Sequence, residues 1–435
     1  MNAKLNHMGG YVQGHSTQKK ETKFSLFIMV VIFGYFGLSG YTQSIGDAQT
    51  GQGIWGRLIY ADFFMLFLCI VSLGYIRRIY FPIEYALFLP FIIYNGMVGL
   101  TAYTPRQASI ELLVHVWAWG GALVVFNILA KTPERAPAIA LKMLLYSTTI
   151  LSILGLVHLF FLPNLIDVKV QGGVVGTFRN TGQAGSYFGL VLALLIPAML
   201  TGFVKPSRLH IFMMGVIVFA LIFTTKRAAI FGLLFGYGGL LLLLIVYGGL
   251  KYKKYAFNLM VFSVIVAPLI YYGFEWGKEN IDFMRYRLRH KLSEGYVDRF
   301  LDNFFEDNIG AGLAAFYDRP VTGVGMGNIA GIYTLKYEVH STYFKILGTG
   351  GILGCGVYLL FLGTWLSSLL KSISTQSREG LYLLYFSPFL AGLIISWGYT
   401  YHLRKREFWI AFTISVLVAH VARLKSHQAR AAMQF

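Results

Sequence analysis

The stretch Ala184-Gly185-Ser186-Tyr187-Phe188-Gly189-Leu190-Val191-Leu192-Ala193-Leu194-Leu195-Ile196-Pro197-Ala198-Met199-Leu200-Thr201-Gly202-Phe203 carries no charged side chain. As a helix it would extend roughly 30 Å, the thickness of a bilayer's hydrocarbon core. Comparable apolar runs lie at about 24–41, 58–76, 83–103, 109–130, 139–162, 209–225, 228–249, 255–273, 342–370, 381–399 and 407–424. The expectation is an all-α polytopic membrane protein with about 12 transmembrane helices.

Composition agrees. Of 435 residues, 56% are hydrophobic and only 13% charged, where a soluble domain carries roughly 25%. Mean hydropathy is +0.60. Aromatic residues at 16% suit belts at the two membrane surfaces. Cys69 and Cys355 lie far apart inside apolar runs, which excludes Cys-x-x-Cys metal spacing and argues against a structural disulfide.

The net charge of +18 would suggest nucleic acid for a soluble chain, but here the basic residues are scattered among short loops, so no nucleic-acid partner is expected. Lys19/Lys20/Lys23, Arg77/Arg78, Lys131/Arg135, Lys205/Arg208, Lys251/Lys253/Lys254, Lys371/Arg378 and Arg423/Lys425 fall in alternate loops, which places that side in the cytoplasm. Both termini are then cytoplasmic. Residues 1–20 read as a disordered cytoplasmic tail, too polar for a signal peptide, and 21–435 as a single transmembrane domain. Arg404-Lys405-Arg406 breaks the pattern: either these residues are functional or the last two spans are misassigned.

The opposite side holds one long loop, 274–341, between spans nine and ten. Val297, Phe300, Leu301, Phe304 and Phe305 recur at helical spacing among Asp298, Arg299, Asp302 and Asn303, which predicts an amphipathic helix at the membrane surface. A short helical stretch should follow Gly310 and Gly312 and stop at Arg319-Pro320, ahead of the glycine-rich turn Gly323-Val324-Gly325-Met326-Gly327-Asn328.

Ionisable residues at membrane depth or its edge are candidates for function because lipid penalises them. Gly176-Thr177-Phe178-Arg179-Asn180-Thr181-Gly182-Gln183 precedes a span and could cradle an anion with backbone amides and Arg179, or be an interfacial loop with a snorkelling arginine. Thr225-Lys226-Arg227 puts two cations in a tight external turn, as ligand contacts or as anchors. His340-Ser341-Thr342 opens a span, where a neutral imidazole could take a proton from a hydroxyl or simply bond at the interface. Glu111 and His115 share a helical face, as a proton relay or a buried structural pair. No His-Glu-x-x-His, EF-hand, Gly-x-Ser-x-Gly or Cys/His metal pattern is present, and the long loop has no Asp-x-Asp-like acidic pair. A glycan transfer from a pyrophosphate donor would have to rely on arginines to stabilise its leaving group.

The order of these features resembles the O-antigen ligase and O-antigen polymerase superfamily: a Gly-x-Phe-x-Asn loop, a Lys-Arg-Ala turn, a long loop closing on Arg319-Pro320-Val321-Thr322-Gly323-Val324-Gly325-Met326-Gly327, then His340-Ser341-Thr342 and Gly350-Gly351-Ile352-Leu353-Gly354. It is most specific over about 220–360. The resemblance implies a membrane glycosyltransferase C-type fold in the bacterial inner membrane, acting at the periplasmic face without metal or cofactor. The donor would be a polyprenyl-pyrophosphate-linked glycan and the acceptor lipid A-core, or a second lipid-linked glycan for a polymerase. Arg227 and Arg179 would bind the pyrophosphate and His340 would activate the acceptor hydroxyl, with inversion at the anomeric carbon. Asn180, Lys226, Arg319, Gly325 and Ser341 would complete the substrate site. The chain departs from the family in having Ser341 where many relatives have asparagine. The family's long-loop arginine falls near Phe305, leaving Arg299 and then Arg289 as its nearest counterparts. The competing reading is a secondary transporter or lipid-linked glycan flippase with Glu111 and His115 as its relay.

Overall fold

The computed structural model describes residues 26–37, 60–73, 79–161, 173–178, 180–246, 304–329, 332–333 and 339–432, with isolated positions between 260 and 279. Residues 1–20, the apolar run 255–273 but for isolated positions, most of the amphipathic segment around Val297, and the candidates Arg179, Arg289 and Arg299 lie outside them.

No strand occurs among the described residues. The helices are α1 (Leu26–Gly37), α2 (Tyr60–Leu73), α3 (Ile83–Leu100), α4 (Pro105–Leu129), α5 (Ala136–Phe160), α6 (Thr181–Leu200), α7 (Arg208–Phe223), α8 (Arg227–Val246), α9 (Ala311–Asp318), α10 (Thr342–Lys371), α11 (Arg378–Ser396) and α12 (Arg406–Ala432). Eight of these, α3 to α6, α8 and α10 to α12, are long and apolar enough to cross a membrane. Helices α1, α2 and α7 are shorter and coincide with three more of the apolar runs. The α9 helix ends where Arg319-Pro320 predicts. Ahead of it, Phe304–Gly310 forms a π-helical turn with Phe305 exposed.

Short connections make helices antiparallel within α3–α5, α6–α8 and α10–α12, and contacts of the α6 start with Lys226 and of Thr342 with Trp397 bring the same ends together. One end of the bundle therefore gathers the starts of α4, α6, α8, α10 and α12 and the ends of α3, α5, α7 and α11. Helix α12 is the most enclosed, with Phe408, Trp409, Phe412 and Ile414 all buried, whereas α8 exposes Phe231, Leu234, Phe235 and Leu242 outward. Helices α8 and α11 approach closely through small residues: a Cβ on Gly392 would stand 2.4 Å from the Gly232 carbonyl oxygen.

Buried acids are matched by cations of α12 and the segment leading into it. Arg404 Nη1 donates to Glu111 Oε1 at 2.9 Å, Arg406 pairs with Asp62, Arg423 reaches Glu84 at 3.1 Å, and Lys425 donates to Glu379 at 2.9 Å. The Arg404-Lys405-Arg406 cluster, anomalous as a loop, is thus two arginines bonded to carboxylates on α4 and α2, with Lys405 3.9 Å from Glu407.

Helix α10 is broken. Gly351 has φ 59°, ψ −158°, a conformation open essentially to glycine. The carbonyls and amides freed there are taken up by the glycine-rich turn. Val324 N donates to Gly348 O and Gly325 N to Thr349 O, both at 3.0 Å. Ile352 N donates to Pro320 O at 2.9 Å and Leu353 N to Val321 O at 3.2 Å. The Tyr94 hydroxyl adds contacts to Gly350 O and Thr322 O. Turn and break are one clasp.

Two outcomes test this packing. Gly323 has φ 72°, and a Cβ on it would lie 2.3 Å from the Thr349 carbonyl. Gly323→Ala should lower stability by about 2 kcal/mol or more, read as a fall in melting midpoint of the detergent-solubilised protein. Arg404→Leu should cost about 3 kcal/mol by leaving Glu111 uncompensated, and the Glu111→Leu/Arg404→Leu double variant should recover most of that loss. Additive effects would mean that the pair is not coupled.

Candidate functional site

The site builds from three helix starts. Asn180 caps α6, its side-chain oxygen accepting from Gln183 N at 2.8 Å. Arg227 is the first residue of α8 and is exposed. Ser341 caps α10 with no side-chain cap bond, and its buried hydroxyl has no hydrogen-bond partner. Each helix start presents the positive end of a backbone dipole.

Lys226 lies across the first turn of α6. A Cβ on Gly185 would fall 2.4 Å from Lys226 Cβ, and one on Gly182 would fall 3.7 Å from Lys226 Nζ. A cation beside a helix N-terminus is unfavourable unless a negative charge joins them. The turn that delivers it contains Thr225 at φ 55°, a β-branched residue in the left-handed region and the one non-glycine with positive φ among the described residues.

Helix α10 is joined to this region by the α11–α12 connection. Thr342 N donates to Trp397 O at 2.9 Å, Thr342 Oγ1 donates to Thr400 O at 2.7 Å, and His402 N donates to Thr342 Oγ1 at 3.2 Å. His402 and Thr400 in turn line a cleft with Ser186 of α6, Ala228 and Ala229 of α8, and Ser396 of α11. Burial, with the charges of Lys405 and Lys226 adding to it, holds the His402 imidazole well below the usual histidine range, so it is neutral at pH 7.

Two further groups lie buried behind this region. Lys345, buried one turn into α10, places its ammonium 4.0 Å over the Tyr401 ring. The Tyr401 hydroxyl lies 2.6 Å from His115 Nε2, while His115 Nδ1 lies 2.7 Å from the Glu111 carbonyl oxygen. The Glu111 carboxylate takes Arg404, so carboxylate and imidazole bond to different residues of the 401–404 segment.

The sequence candidates separate accordingly. Lys226 packs on the α6 turn that Asn180 caps, Arg227 follows it at the start of α8, and Ser341 caps α10 with the exposed His340 before it; none of these five side chains lines the cleft. Arg319 belongs to another neighbourhood: its guanidinium lies 4.7 Å over the Tyr103 ring, with Nη1 3.4 Å from Thr101 O. Beside it, Tyr103 and Tyr333 both donate to Asp318, which holds that carboxyl below its ordinary range. Gly325 gives its amide to Thr349 O as part of the clasp. His402, Lys345 and Tyr401 were not singled out from the sequence. A lysine inside the apolar run 342–370 and a histidine beside the misplaced arginines were the available signals. Among the described residues no group of three His, Cys, Asp or Glu side chains is placed to hold a metal ion. Compared with known proteins, the chain matches no family model and no curated sequence.

Thr225→Gly should raise stability by about 1 kcal/mol, since glycine adopts the left-handed conformation freely and offsets part of that gain with its greater unfolded-state entropy. An unchanged melting midpoint would show that the turn carries no strain. The Asp318 contribution should be constant above the usual carboxylate range and fade as pH falls through its depressed folded-state value. Tyr103→Phe should move that acid limb to higher pH in a thermal-melt series.

Proposed function

We propose that this chain transfers a glycan from a polyprenyl-pyrophosphate-linked donor to a sugar hydroxyl at the periplasmic face of a bacterial inner membrane. In this reading the chain is a glycosyltransferase of the C-type membrane fold with about twelve spans. What carries the reading is the packing of Lys226 on the first turn of α6, with Arg227 opening α8 beside it and the start of α10 bonded to the neighbouring 397–402 segment. Such a place suits a pyrophosphate whose chain lies in lipid. The motif order of the O-antigen ligase and polymerase superfamily supports it independently.

The acceptor hydroxyl oxygen attacks the anomeric carbon as the bond to the pyrophosphate oxygen breaks, inverting that centre. The hydroxyl proton passes to His340. The electron pair leaves on the pyrophosphate, whose growing charge is balanced by Arg227, Arg179 and Lys226 and by the α6 and α8 dipoles. Arginine suits the role because its fork grips two phosphate oxygens at once. Lipid A-core is the favoured acceptor, and a second lipid-linked repeat unit would make the enzyme a polymerase.

Purified protein given a lipid-linked glycan donor, with core lipid A and a second repeat unit as separate acceptors, tests the reaction directly. No product with either acceptor would remove the glycosyltransferase reading. His340→Ala should lower transfer by about 10²–10⁴-fold with normal membrane insertion, the range for loss of a general base. Arg227→Lys should lose about tenfold or more, since charge survives but the fork does not. Transfer should persist in EDTA, and a strict divalent-ion requirement would count against arginine-based leaving-group stabilisation.

A further inference from the structure

The loop after α3 and the end of α9 meet in a polar and aromatic cluster that the proposed reaction does not use. Tyr103 donates to Asp318 Oδ2 at 2.7 Å, and Tyr333 donates to the same oxygen. Among the described residues nothing donates to Oδ1, so one edge of an exposed carboxylate stays open. The two phenol donors, and after them the Arg319 charge, hold that carboxyl below its ordinary range, so it is ionised at pH 7. Arg319 stacks on Tyr103 and bonds Thr101 O through Nη1. Its Nε and Nη2 donate to none of the described residues, so part of the fork is open as well.

A tyrosine at a membrane surface ordinarily keeps its ring in the apolar layer and its hydroxyl in water. Here both hydroxyls turn onto a carboxylate. That fixes the rings before any ligand arrives, while Tyr103 stays 48% exposed. A fixed ring beside an open acceptor and an open donor suits a polyhydroxylated ligand. The ring meets the C–H face of a pyranose, the carboxylate accepts from its hydroxyls, and the guanidinium donates to its oxygens. A phosphate would be repelled by the ionised carboxylate, so the cluster does not fit the charged end of the donor.

Its position agrees. Asp318 stands two residues before Pro320, whose carbonyl accepts from Ile352 N just past the break in α10. His340 precedes the opposite end of the upper portion of that helix, Thr342 to Gly350, which extends about 13 Å. A glycan of several sugars spans such a gap.

We propose that Tyr103, Asp318 and Arg319, braced by Tyr333, form a sugar-binding platform for an outer residue of a glycan whose reacting end lies at His340. This deepens the reading above and rests on it for which glycan is bound. Two sources share the chemistry, the donor glycan and the acceptor oligosaccharide. Affinity for a remote sugar favours long glycans over short ones.

The test is equilibrium binding at pH 7 to the full-length protein in detergent. The probes are the oligosaccharide released from the lipid-linked donor and the core oligosaccharide freed of lipid A. Asp318→Asn and Tyr103→Ala should each weaken binding about tenfold or more, the size of a lost hydrogen bond to a charged group or of a lost stacking ring. Tyr103→Phe keeps the ring and should retain more of the affinity than Tyr103→Ala. Asp318→Asn preserves shape at an exposed position, so it keeps the test decisive should Tyr103→Ala fail to fold. Binding that depends on Asp318 supports the proposal, and whichever oligosaccharide binds identifies the source. No binding of either probe at millimolar concentration overturns it and leaves the cluster as a latch between the loop and α9. Binding as tight in Asp318→Asn as in the parent overturns it too. Glycan transfer measured on the parent preparation separates the two readings. Oligosaccharide binding without transfer leaves the platform standing and removes the reaction, whereas transfer with binding indifferent to Asp318 does the reverse.

Discussion

A backbone amide or carbonyl in apolar surroundings must find a partner inside the protein, and the break at Gly351 is where that constraint shapes this molecule most. Interrupting a helix there frees polar groups on both sides. The segment 320–325 answers with two acceptors and two donors in register, and Tyr94 closes the remaining side. Gly323 and Gly351 can meet only because neither carries a Cβ. The position of α9, the path of the chain beyond it and the direction of the first turns of α10 all follow from this clasp.

Charge is handled by the same logic. Glu84, Glu111 and Glu379 are almost wholly buried and Asp62 nearly so, and each faces a basic side chain from α12 or the residues leading into it. Because both ends of α12 supply such partners, this helix ties α2, α3, α4 and α11 together. Ion pairs of this kind add little net stability over apolar packing, but breaking one is costly, so they hold the arrangement in register. The basic residues of the candidate site are of another kind, since Lys226 and Arg227 stand at helix starts where the local dipoles are already positive.

Much of the fold was legible in the sequence because lipid imposes a simple code: long apolar runs punctuated by charge. Even the three-residue break between α7 and α8 is visible in Thr224-Thr225-Lys226. The glycine-rich turn was legible as a turn, but not as the partner of Gly350-Gly351, because pairing between distant segments leaves no local period. The Arg404-Lys405-Arg406 anomaly was visible while its resolution was not, since Glu111 and Asp62 lie hundreds of residues away in the chain. Lys226, Arg227 and Ser341 stood out by position. His402 did not, because its significance lies in the absence of neighbours able to bond its ring, which only packing reveals.

The break in α10 also divides labour along one helix. Unbroken, 30 residues would extend about 45 Å, well beyond the hydrocarbon layer. From Ile352 to Lys371 the lower portion is by itself long enough to cross the bilayer. The upper portion, from Thr342 to Gly350, is thereby released from spanning duty. It becomes a short half-helix, pinned by Trp397 and Thr400 at its start and by Val324 and Gly325 at its end. Its direction is set by those few anchoring residues and not by the need to cross the membrane. A single helix thus serves as both membrane-crossing pillar and anchored head, and the head holds the Lys345 ammonium over the Tyr401 ring.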